Sequence, residues 1–130
     1  MNERKIYEIQ FSNRYRPVSA FLHSLDHKTQ QKIALQMEIL QRKDVPMQPP
    51  AVKAFRQMRY KGLLELRTRI NKTMTRIIFY TDDDSIVMLH GFIKKKDRET
   101  DHALELARAR KLALASGEVS AIPLIEGGHQ

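Results

Sequence analysis

Three apolar runs set almost end to end constrain this chain more than any other feature. LLELRTRI (63–70), TMTRIIFYT (73–81) and IVMLHGFI (86–93) are separated only by Asn71-Lys72 and by the stretch Asp82, Asp83, Asp84, Ser85. Connections this short leave no room for a crossover, so the runs predict an antiparallel three-stranded meander. In the first run Leu64, Leu66 and Ile70 fall on one face and Glu65, Arg67 and Arg69 on the other.

Closing the first hairpin on the Asn71-Lys72 turn sets Arg67 directly opposite Arg76. Like charges facing each other on a sheet cost a few tenths to about 1 kcal/mol, and folding alone gives no reason for the pair. A bound phosphate would relieve the repulsion and accept charge-assisted bonds from two planar forks. The competing explanations are that Glu65 or a turn aspartate neutralises an arginine, or that a bulge shifts the register. The third strand depends on the length of the aspartate loop: an even loop places Gly91 opposite Arg76, leaving room for a substrate backbone, and an odd loop places His90 there. A lone histidine in an apolar strand is more often structural than catalytic.

Elsewhere, KIYEIQFS (5–12) alternates Ile6, Glu8 and Gln10 against Tyr7, Ile9 and Phe11, an opening strand with one face better buried. Pro17 starts a short helix, and Asp26 caps a longer one whose stripe of Ile33, Met37 and Leu40, widened by Leu35 and Ile39, belongs in the core. VPMQPP (45–50) ends that helix. A connecting segment, 51–62, carries Lys53, Arg56, Arg59 and Lys61 interleaved with Phe55, Met58 and Tyr60. After Lys94, Lys95 and Lys96, Thr100 or Asp101 caps a last helix that lays Leu104, Ala107 and Leu112 on the sheet. Residues 116–130 read as a tail in which AIPLI docks.

Composition narrows the function. A chain of 130 residues fits one domain, 1–115, with the tail beyond it. The absence of cysteine removes disulfides, thiol nucleophiles and thiolate zinc sites. His23, His27, His90, His102 and His129 lack metal-ligand spacing, so no metal site is assigned. No apolar run approaches a bilayer span and the first residues are too polar for a signal peptide, which implies a cytoplasmic chain without a membrane partner. Of the net charge of +8, nearly all lies between Lys53 and Arg98, where twelve Lys or Arg face five acids. Such concentration predicts a polyanionic partner, nucleic acid first and an acidic protein second.

The motifs GLLELR, TRIIFY and VMLHGFIKK, in that order and followed by a helix, resemble the phage-derived, HigB-type branch of the RelE toxin superfamily. That branch shows an ELR motif, an arginine opening an R-I-x-Y strand and L-L-H-G-F-x-K-K before its last helix. The likeness extends over residues 5–115. It implies an α+β, RelE-like fold: an N-terminal strand and helical hairpin, a three-stranded antiparallel meander joined to the first strand, and a C-terminal helix. It also implies the toxin of a bacterial type II toxin-antitoxin pair, an endoribonuclease that cleaves mRNA on the ribosome without metal or cofactor and is neutralised by a helix-turn-helix antitoxin.

Carried over residue by residue, the resemblance assigns Arg76 to the scissile phosphate, Arg67 to the basic position on the preceding strand, and Lys94 and Lys95 to the cations that close the site. Lys53, Arg56, Arg59, Lys61, Arg69, Lys96 and Arg98 are the further RNA contacts expected from the charge pattern. Relatives often have an aromatic residue early in the last helix, where this chain has DRETDH. Proton transfer then falls to His90, Tyr80, Glu65 or His102, with His90 preferred because its reference pKa is about 6.5. The alternative is a non-catalytic module of the same fold that binds RNA or an antitoxin without cutting.

Overall fold

The computed structural model describes residues 3–124. Along the chain run β1 (Lys5–Gln10), α1 (Pro17–His23), α2 (His27–Gln41), β2 (Val52–Ala54), a 3-10 turn (Met58–Tyr60), β3 (Leu64–Ile70), β4 (Thr73–Asp82), β5 (Ser85–Ile93), α3 (Asp97–Ser116) and β6 (Ser120–Pro123). The three runs form the meander β3-β4-β5 at the centre of a six-stranded α+β sheet of order β2-β3-β4-β5-β1-β6. Both hairpins close on two residues, and Asn71 (φ +55°) and Asp83 (φ +52°) take the left-handed conformation that Asn and Asp tolerate best among non-glycine residues.

The sheet is covered on both faces. Val18, Ile33, Met37 and Leu40 of α1 and α2 pack with Leu66, Ile77, Phe79 and Met88 on one side. Ala103, Leu104 and Ala107 of α3 pack with Ile78, Val87 and Leu89 on the other. β1 lies between β5, to which it is parallel, and β6, to which it is antiparallel, so both of its edges are paired. Its Glu8 is fully buried and accepts bonds from the Ser19 N–H and hydroxyl at the start of α1, with Arg16 3.8 Å away.

The helices hold one narrower stripe each than the sequence suggests. Asp26 does cap α2, accepting the Thr29 N–H at 2.8 Å. Leu35 and Ile39, however, are 61% and 48% exposed, because they lie roughly 200–240° around the helix from Ile33. Leu112 is exposed for the same kind of reason, lying roughly 140–180° around α3 from Ala103, Ala107 and Leu114. Helix α3 begins a turn before Thr100: Lys96 is its cap position, and the Glu99 carboxylate accepts the backbone N–H of both Lys95 and Lys96. Residues 52–54 of the connecting segment are a strand, and Ser120–Pro123 of the stretch beyond α3 pairs with Tyr7–Gln10. Ile125 of AIPLI, with 126–130, lies outside the described residues.

Neither alternative for the third strand holds. The loop has two residues, which would set Gly91 against Arg76, but β5 carries a bulge at Leu89: Phe79 pairs with Met88 and Ile78 with His90. One extra residue inverts the side-chain alternation beyond it. Phe92 therefore stands opposite Arg76, and Gly91 faces α1. The clearance that Gly91 provides is for Phe21: a Cβ there would lie 2.8 Å from Cε2 and 2.9 Å from Cγ of that ring. Gly91→Ala is expected to destabilise the chain by about 1–3 kcal/mol through overpacking; an unchanged urea midpoint would show that the ring moves aside freely.

Candidate active site

The register Arg67↔Arg76 is realised, on the sheet face that α3 covers. Both arginines owe their positions to backbone pairing. Along β3, β2 ends at the level of Leu66, and side chains of α2 take over its edge: Gln36 Nε2 donates to the Arg67 carbonyl at 2.9 Å and Lys32 Nζ to the Arg69 carbonyl at 2.6 Å. On the far side the Lys94 N–H donates to the Met74 carbonyl at 2.8 Å, extending the β4-β5 ladder one step past β5 and fixing the first lysine.

Glu65 resolves the like-charge conflict. It lies two pairs along the ladder from the arginines and on their face, opposite Ile78, with Oε1 3.5 Å from Arg67 Nε and 3.6 Å from Arg76 Nε. The three groups differ in exposure: Glu65 is 2% and Arg76 5% exposed, whereas a third of the Arg67 side chain is open. The compensation is partial. Arg76 reaches the Thr75 carbonyl only at 3.4 Å and the Met74 sulfur at 3.8 Å. Among the described residues Arg76 Nε and Glu65 Oε2 have no hydrogen-bond partner. Burial, opposed by Glu65 and reinforced by Arg67, holds the Arg76 guanidinium below the usual arginine value.

Beside this trio a cleft of about 830 Å³ opens between the 49–57 segment and the first turns of α3. Lys53, Arg56, Arg67 and Lys94 line it against two carboxylates, Asp97 and Asp101. Lys94 Nζ is 3.4 Å from Asp97 Oδ1, and Lys53 Nζ sits 5.5 Å over the Phe55 ring. Thr100 Oγ1, on the cleft wall, is buried without a partner among the described residues. The arrangement can hold a phosphate: several cations converge, buried donors are under-used, and one carboxylate is within reach.

The remaining candidates are dispersed. Lys95, Lys96, Lys61, Arg69 and Arg98 are exposed, and none of them lines the cleft. Arg59 is committed to a two-pronged pair with Glu105, Nε–Oε2 2.6 Å and Nη2–Oε1 2.8 Å, to which the Tyr60 hydroxyl also donates. That network holds Glu105 down to about 2, through Arg59 first and Tyr60 second. Tyr80 lies four residues along β4 from Arg76, about 13 Å away at strand spacing. It is under Lys111 Nζ at 4.6 Å, and burial together with Asp82 raises its phenol. His102 is exposed on α3.

His90 shares the α3 face but points its Nδ1 at Arg110 Nη1, 3.2 Å away, with its ring stacked on Phe92. Burial, then Arg110 and His102, bring its pKa down from 6.5 to about 4. A base with that pKa is weak at neutral pH. Between pH 6.5 and 4 the unfolded chain takes up a proton at this position that the folded chain refuses, so stability falls as pH falls through that window. In an NMR titration the His90 imidazole is expected to stay neutral to about pH 5; a midpoint near 6.5 would return it to the acid-base candidates.

Sequence reasoning treats Glu65 as one possibility among several; its central place was readable from its two-residue spacing to Arg67 on one face. Among the described residues no cluster of three His, Asp or Glu groups has metal-binding geometry, and no helix is long and apolar enough to cross a membrane.

Comparison with known proteins gives one result. The model of the family described as Phage derived protein Gp49-like (DUF891) matches residues 20–112. No curated protein and no solved structure gives a significant match.

Proposed function

The chain belongs to the phage-derived, Gp49-like family, part of the RelE/HigB-like toxin superfamily, and from that premise we propose that it is the toxin of a type II toxin-antitoxin pair, an endoribonuclease that cuts mRNA on the ribosome. The observation that carries the reading is the buried, under-paired Arg76 standing across from Arg67 beside a cationic cleft. A buried guanidinium without short acceptors forgoes stabilisation of about 1–3 kcal/mol, which an anion would restore.

In this reading the RNA phosphate enters at Arg67 and Lys94, and Lys53 and Arg56 hold its neighbours along the cleft wall. Arg76 adds charge from the floor, where low solvent exposure strengthens its field. The substrate's own 2′-hydroxyl attacks the phosphate, forming a 2′,3′-cyclic phosphate and expelling the 5′-oxygen of the next nucleotide. Glu65 is the acid-base group best placed for the 2′-hydroxyl proton: it is the carboxylate next to both arginines, and its Oε2 is unengaged. Lys95, Lys96, Arg69, Arg98 and Lys61 serve the wider RNA surface. The charge of +8 suits an acidic, helix-turn-helix antitoxin as the protein partner.

Induced expression tests the reading directly. Growth arrest, mRNA fragments ending in 2′,3′-cyclic phosphate, and rescue by a helix-turn-helix protein encoded beside the gene are expected. Normal growth together with intact RNA, with and without ribosomes, would overturn it.

A further inference from the structure

Beyond the cleft, the α3 face carries a run of rings joined by one guanidinium. Phe92 stands directly across from Arg76, and His90 stacks on it with 5.7 Å between centroids and 12° between planes. Arg110 of α3 comes next, 3.2 Å from His90 Nδ1 and donating to the Leu89 carbonyl at 2.9 Å. The same guanidinium lies 5.4 Å over the Phe11 ring, and Phe11 stands 6.0 Å from Tyr15. Tyr15 is 50% exposed, and Phe92, His90, Arg110 and Phe11 are each partly exposed.

Packing explains part of this. The bond from Arg110 to the Leu89 carbonyl fastens α3 to the bulge of β5. It gives no reason for four rings to line up along one surface with part of each left in water, starting one strand away from the phosphate site. Every nucleobase has a π face, and stacking on aromatic rings or over a guanidinium is tolerant of base identity. The bulge is what makes the run continuous, since it turns both His90 and Phe92 toward α3.

We infer that Phe92, His90, Arg110, Phe11 and Tyr15 form a base-stacking platform for single-stranded RNA, receiving the nucleobases that flank the phosphate held at Arg67 and Lys94. The inference rests on the ribonuclease reading above. On it, the role of His90 is to present a ring.

Fluorescence anisotropy on the full chain tests the platform, using a single-stranded oligoribonucleotide protected from cleavage by 2′-O-methyl groups and a matched strand with abasic sites. Tyr15→Ala and Phe92→Leu are each expected to weaken binding of the base-bearing strand about five- to tenfold, to leave the abasic strand bound as by wild type, and to leave the salt slope unchanged. Arg67→Ala, by contrast, flattens that slope by about 0.7. Because Tyr15 is half exposed, its substitution tests the platform even if Phe92→Leu fails to fold. Variants that bind the base-bearing strand like wild type, or that weaken both strands equally, would overturn the platform while leaving the ribonuclease reading standing. A wild-type chain that binds neither strand would likewise overturn the platform, while the ribonuclease reading, which places cleavage on the ribosome, is decided by the induced-expression test.

Discussion

Arg76→Lys is expected to slow single-turnover RNA cleavage by about 10²- to 10³-fold while leaving the chain folded. The variant keeps a second cation beside Glu65, so that carboxylate is not left with the part-exposed Arg67 as its one partner among the described residues. It loses the planar fork, and an ammonium cannot offer a phosphate two parallel N–H donors while also facing Glu65. Arg76→Ala is the less informative variant: it leaves Glu65, 2% exposed, with Arg67 as its remaining cation, and breaking a buried pair from one side costs up to about 3–5 kcal/mol. Circular dichroism and a urea midpoint establish that Arg76→Lys is folded before its rate is read. A rate within threefold of wild type would remove Arg76 from the reaction and leave it a structural partner of Glu65.

Glu65→Gln carries the second large effect, with two readouts that separate its roles. Without the carboxylate, Arg67 and Arg76 face each other with no anion between them, and a loss of about 3–5 kcal/mol of stability is expected from the urea midpoint. Inorganic phosphate should then stabilise the variant more than chloride of equal ionic strength, since a ligand bound only by the folded chain adds RT ln(1 + [L]/Kd). If Glu65 also accepts the 2′-hydroxyl proton, cleavage falls by roughly 10²- to 10⁴-fold even in phosphate-free buffer where the variant is folded. A folded variant that cleaves at the wild-type rate would move proton transfer elsewhere. The same variant without any preference for phosphate would mean that the arginine pair does not bind anions.

The parts of this fold that were legible in the sequence are those set by short range. Two residues between β3 and β4 dictate the register, which is why the Arg67-Arg76 pairing could be read before any coordinates. The same logic fails one hairpin later, because nothing in VMLHGF announces a bulge at Leu89. Strands β2 and β6, of three and four residues, have no room for alternation, and their partners lie far along the chain. Leu35 and Ile39 show the limit of reading apolar residues as a stripe when their angular positions disagree with it.

For the candidate site, the cationic segment was legible and its division was not. Which cations line the cleft follows from partners distant in sequence: Glu105 engages Arg59 from 46 residues away, while Lys53 arrives on a strand not foreseen and Arg56 just beyond its end. Glu99, by accepting the N–H groups of Lys95 and Lys96, starts α3 early enough that only the first of the three lysines lines the cleft.

The bulge in β5 also bears on how this segment can change. Side chains before Leu89 follow one parity and those after it the opposite parity, because Leu89 is the one residue of β5 without a partner on β4. Removing Leu89 would leave every other pair of the ladder as it is, with His90 against Ile78 and Phe92 against Arg76, in a strand of continuous phase. What that single deletion would take away is the Leu89 side chain from the α3-side core and the carbonyl to which Arg110 donates.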